Sequence, residues 1–75
     1  MTQAEYAVVL VQAPSHAMRL EKLLRNETIP CKLIPVPRHL STDCGACVRI
    51  NIQDIDAVRS LLGAAHLEVV GIQAI

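Results

Sequence analysis

Cys31-Lys32-Leu33-Ile34-Pro35-Val36-Pro37 is the stretch on which the fold turns. Its apolar content gives Cys31 to Val36 the composition of a strand, yet Pro35 lies inside it and Pro37 follows directly. A proline has no N–H to give to a ladder, so this strand belongs at the edge of a sheet. Toward the N-terminus, Ala17, Leu20, Leu23 and Leu24 recur at helical spacing, while Arg19, Glu21, Lys22 and Arg25 fall elsewhere. That is an amphipathic helix, with Ser15 as its expected N-cap and an end near Asn26 to Thr28, before Pro30. Further back, the continuous apolar run Tyr6 to Val11 has the character of a central strand.

Toward the C-terminus, Val48, Ile50 and Ile52 alternate with Arg49, Asn51 and Gln53. A clean period of two predicts a third strand with one buried face and a second face that is polar or covers a subunit contact. Asp54 is then the expected cap of a second helix, whose stripe is Ile55, Val58, Leu61, Leu62 and Ala65. Glu68 to Ala74 closes the chain as a fourth strand. The order is βαββαβ, with no linker or low-complexity run. We therefore expect one α+β domain over residues 1–75, of the ferredoxin-like plan: a four-stranded antiparallel sheet with two helices on one face. The sheet order 4-1-3-2 of that plan puts the second strand at an edge, as its prolines require.

Composition narrows the function classes. Of 75 residues, 52% are apolar and 19% charged, and Tyr6 is the only aromatic residue, so the core is aliphatic. Nucleic-acid binders want stacking rings or a basic face, and this chain has seven basic residues against seven acidic ones. Near-zero net charge with a rich apolar content favours a homo-oligomer instead. No segment approaches the roughly 20 apolar residues of a membrane span, so no membrane partner is expected. The N-terminus has neither the basic region nor the cleavage signal of a secretory leader, and the expected setting is cytoplasmic and reducing. Three cysteines, Cys31, Cys44 and Cys47, cannot all pair within one chain. They stand as free thiols, a redox pair or metal ligands rather than a staple.

Chemistry concentrates in the loop after the proline-bearing strand, Arg38-His39-Leu40-Ser41-Thr42-Asp43-Cys44-Gly45. In the ferredoxin-like plan the first two strands run parallel, so this loop leaves the sheet at the end where the first helix begins, at Ser15 and His16. A helix N-terminus offers unpaired amides and about half a positive charge, which lowers the pKa of a nearby thiol. Cys44 is the expected nucleophile, activated by the Ser15–His16 helix end, with Arg38 adding positive charge or binding an oxyanion. Ser41 and Asp43 are turn and capping residues ahead of it, and Gly45 is expected to hold a backbone angle that a side chain forbids. His66 falls at the same sheet end beside the fourth strand and is read as a solvated histidine at a helix C-terminus.

Cys44-Gly45-Ala46-Cys47 is also a C-x-x-C, the spacing of a redox pair or half a metal site. In thioredoxin-like proteins such a pair opens a helix, whereas Cys47 runs into a strand, where a small buried residue serves equally well. Cys44, Cys47 and His39 are the metal ligands on offer, with Cys31 or a second subunit needed to complete four. Cys31 itself reads as a packed or half-exposed small residue at the start of the edge strand. There is no phosphate-cradling glycine-rich loop, no G-x-S-x-G and no H-E-x-x-H, and no organic cofactor is expected.

Leu33-Ile34-Pro35-Val36-Pro37-Arg38, then Ser41, then Cys44-Gly45 before an alternating strand, resembles a family of small bacterial proteins, once a domain of unknown function and described as selenium/sulfur carrier-like. The resemblance extends from the first strand to the closing Gly71-Ile72 segment. It implies a single reactive cysteine, Cys44, that carries sulfur or selenium as a persulfide or selenosulfide between donor and acceptor proteins, a carrier rather than an enzyme. An apolar residue is usual in that family where this chain has Cys47. A second thiol there opens two alternatives: a metal-binding or thiol-redox module built on Cys44 and Cys47, and a non-catalytic regulatory or assembly domain.

Overall fold

The structure, a computed structural model, describes residues 5–36 and 45–75. The elements are β1 (Tyr6–Leu10), α1 (Pro14–Asn26), β2 (Cys31–Pro35), β3 (Ala46–Asn51), a 3-10 turn (Ile52–Asp54), α2 (Ile55–Ala65) and β4 (Gly71–Ala74). The four strands form one sheet in the order β2-β3-β1-β4, and every neighbouring pair is antiparallel. This is the expected α+β, ferredoxin-like arrangement. Pro35 sits at the end of the edge strand β2, where its missing donor costs no ladder bond, and Lys32 on the same strand adds a charge that discourages further pairing.

Both helices cover the same sheet face. Ala17, Leu20 and Leu24 of α1 and Val58 and Leu62 of α2 pack with Ala7, Val9, Val48 and Ile50 in one buried cluster. Leu20 and Leu24 are wholly enclosed, and burying each stabilises the fold by about 1.5–3 kcal/mol. The stripes expected from periodicity are those that face the sheet, with Leu23, Ile55, Leu61 and Ala65 half-buried at the margins.

Several expectations change. The N-cap of α1 is Ala13, with Pro14 at the first helical position, so Ser15 lies inside the first turn and makes no cap. Proline is suited to that position because its fixed φ is helical and the N–H it lacks has no intrahelical partner there. Asp54 does occupy the N-cap of α2, but its side chain makes no capping bond, because a 3-10 turn leads into the helix. Ile52 belongs to that turn rather than to β3.

The fourth strand begins at Gly71 instead of Glu68. Leu67 turns inward to plug the core, so the chain reaches β1 only at Val70, whose N–H donates to the Leu10 carbonyl at 2.7 Å. Finally, the outer face of β3 is not simply polar. Cys47 is fully buried there, in a second cluster with Val8 and Leu10, against which Ile34 and Val36 pack. The register sets Cys47 opposite Leu10 on one side and Ile34 on the other, so its lateral neighbours are apolar.

The two helices end alike. After α1, Ile29 N–H donates to the Leu24 carbonyl at 2.9 Å and Thr28 N–H to Arg25 at 3.0 Å, with Thr28 left-handed at φ 60°. After α2, Leu67 N–H donates to Leu62 at 3.0 Å and His66 N–H to Gly63 at 3.3 Å, with His66 at φ 54°. Both are Schellman turns, and in both the residue after the left-handed one is apolar and packs on the core.

Candidate functional site

Because β1 and β2 are each antiparallel to β3, they run parallel to one another, and their C-terminal ends share one end of the sheet. The start of α1, the start of β3 and the end of α2 lie at that end too. Arg38, His39, Ser41, Asp43 and Cys44 lie outside the described residues. The residues flanking them are fixed to one another: Val36 N–H donates to the Gly45 carbonyl at 3.2 Å, one rung beyond the paired Pro35 and Ala46.

The N-terminus of α1 supplies less than a generic helix end. Pro14 has no N–H, while those of His16 and Ala17 donate to the Ala13 carbonyl at 3.0 and 3.3 Å. Ser15 is therefore the first-turn residue whose N–H, unpaired among the described residues, is left to donate to an external partner. Beside it, His16 is half-buried, and its Nδ1 is enclosed without a hydrogen-bond partner among the described residues. A buried ring nitrogen in that state still has a hydrogen bond to give or to accept. Ser15 and His16, both proposed from sequence, thus bring an open amide and an unpaired imidazole nitrogen to one helix turn. Sequence reasoning missed that Pro14 narrows the choice to Ser15; the Ala13-Pro14 pair is the signal that carries it.

Gly45 differs from expectation. It is exposed, its backbone is not left-handed, and none of the described residues beyond its chain neighbours comes within 4 Å of where a Cβ would stand. Neither backbone conformation nor crowding by the described residues therefore forbids a side chain here.

The described cysteines have separate environments. Cys47 is wholly buried in β3, and its thiol lies 3.9 Å from the Pro35 carbonyl oxygen, to which it donates. Cys31 is half-buried at the far end of the sheet, where its thiol donates to the Glu21 carbonyl at 3.7 Å. Burial pushes the Cys31 pKa up, and the Glu21 carboxylate pushes the same way, with Arg25 opposing both. A thiol held neutral in this way is a poor nucleophile. His66 is exposed, as expected of a solvated histidine, and is committed to the left-handed turn after α2. Among the described residues no three His, Cys, Asp or Glu side chains converge as a metal site. No helix among them is long and apolar enough to cross a membrane.

No curated protein and no solved structure matches the chain. A family model does, and it spans both halves of the sheet, both helices and the segment that carries Cys44. Its match runs over residues 5–73, and the chain belongs to the family described as Putative Se/S carrier protein-like.

Proposed function

We propose that this protein is a carrier that holds one sulfur or selenium atom on Cys44, as a persulfide or selenosulfide, and passes it from a donor protein to an acceptor. The observation that carries the reading is the end of the sheet from which the Cys44 segment departs and to which it returns. There, family membership over residues 5–73 coincides with an open Ser15 amide, a positive helix end and the unpaired Nδ1 of His16. The open amide and the positive helix end favour a thiolate over a thiol. Arg38 is assigned to the same task, Ser41 to shaping the segment, and Gly45 to letting a partner protein come close.

Loading is a transfer without net oxidation. The Cys44 thiolate attacks the outer sulfur of a donor persulfide, the donor S–S bond breaks, and a new S–S bond forms on Cys44. The donor cysteine leaves as a thiolate and takes up the proton that Cys44 lost. Delivery repeats the step with Cys44 as the leaving group. Such chemistry suits a reducing, cytoplasmic setting and protein partners, and association of copies of this chain belongs to the same reading.

Incubation with a cysteine desulfurase and cysteine, followed by mass spectrometry, is expected to show one added sulfur on Cys44. Cys31→Ser should load as the unmodified protein does, and Cys44→Ser should not load. Loading that persists in Cys44→Ser refutes the assignment. An alkylation rate for Cys44 with the pH dependence of an ordinary thiol refutes the activation by the helix end.

A further inference from the structure

We propose that the opposite end of the sheet is a second site, a groove that binds a small organic phosphate between Lys32 and Arg49. The groove has a volume of about 410 Å³, and its walls include Tyr6, Arg25, Cys31, Lys32 and Arg49. The register sets Lys32 of β2 directly opposite Arg49 of β3. Like charges in that relation destabilise a sheet. Among the described residues neither cation has a carboxylate within salt-bridge distance, the ion pair present nearby being Arg25 with Glu21 at 3.8 Å. No acidic side chain among the described residues lines the groove. An anion seated between the two cations removes their repulsion.

Arg49 is held for this task. Its guanidinium carbon stands 4.3 Å from the centre of the Tyr6 ring, so the planar group is stacked while its edge donors remain available for a fork-like contact. Arg25, at the negative end of α1 and already paired with Glu21, contributes less charge and closes a wall. The two strand cations therefore set the preference: their double positive charge matches a phosphate monoester, whose second proton leaves near pH 6. The Cys31 thiol on the wall stays neutral and does not oppose an anion.

Size and surface favour an organic ester over the bare ion. A space of about 410 Å³ is in the range of small-molecule sites. Pro30 and the Tyr6 ring give it apolar walls for the rest of the molecule. The five residues of β2 span roughly 13 Å, which separates this groove from the sheet end where the Cys44 segment begins.

The test is a titration of the whole chain with phenyl phosphate and, separately, inorganic phosphate, followed by amide NMR at constant ionic strength. Phenyl phosphate is expected to shift the signals of Tyr6, Lys32, Arg49 and Asn51, to bind more tightly than inorganic phosphate, and to bind more weakly below about pH 6. The exposed Lys32→Gln substitution, which leaves the core intact, should weaken it about tenfold, the effect of one charge-assisted contact. Cys44→Ser should leave the affinity unchanged. Shifts absent from the groove, or Lys32→Gln binding as tightly as the parent, overturn the proposal. Inorganic phosphate binding as tightly as phenyl phosphate overturns the assignment to an organic ester.

Discussion

Cys47 stands opposite Leu10 in the β1–β3 register, on the sheet face away from both helices, and both side chains are buried. A residue that sequence spacing offered as half of a C-x-x-C is therefore built into a strand. The buried thiol fills apolar space there, since cysteine behaves as a small hydrophobe when buried.

One expectation follows for stability. Cys47→Ala should fold with a modest loss, while Cys47→Asp should cost about 3–5 kcal/mol, because it buries an unpaired charge beside Val8 and Leu10. That is a large part of the total for a chain of 75 residues, which at typical values is about 4–11 kcal/mol. Urea unfolding of the two variants measures the difference. A Cys47→Asp variant as stable as Cys47→Ala would show that this face is open to water.

The helix ends give a second expectation, in the opposite direction. Thr28 and His66 hold left-handed backbone at φ 60° and 54°, a region that costs a residue with a Cβ about 1–2 kcal/mol and a glycine almost nothing. Both side chains are exposed, so nothing is lost from the core on removing them. Thr28→Gly and His66→Gly should each raise stability by about 1 kcal/mol, or ~4–8 °C in Tm for a domain this size. Unchanged or lower melting temperatures would show that the Schellman turns are not where these residues carry strain.

Cys31 gives a third expectation, in pH dependence. Its folded-state pKa is raised above the ordinary 9.0 by burial and by the Glu21 carboxylate, so the fold favours the neutral thiol. The corresponding stability is fully present below 9.0 and is lost as pH rises from there through the folded value. Stability curves of the parent and of Cys31→Ala should run parallel below 9.0 and converge above it. Curves that stay parallel across that range would exclude a raised thiol pKa.

Much of the architecture was legible in the chain because it rests on local rules. Pro35 has no N–H wherever it stands, and that alone sent β2 to an edge. The Ala17-Leu20-Leu24 and Val58-Leu62 stripes announced two helices with one buried side each. Boundaries were less legible, and for definite reasons. Pro14 outcompeted Ser15 for the start of α1 because its φ is fixed for the first helical position. Leu67 was taken from the last strand by the core. The Ser15–His16 end could be named from topology, but not the fact that one open amide and one enclosed ring nitrogen remain there, since both depend on which neighbours accept or exclude them.

The sequence by itself determined the order of elements, the edge position of β2 and the aliphatic character of the core, because periodicity and proline chemistry act over a few residues. The tertiary structure alone decided that both faces of β1 are buried, that Cys47 is enclosed and that Gly45 is unstrained. It also decided that Lys32 faces Arg49 across two strands while Arg49 stacks on Tyr6 from a third. Those relations are set by strand register and by contacts between distant parts of the chain, and no local pattern encodes a register.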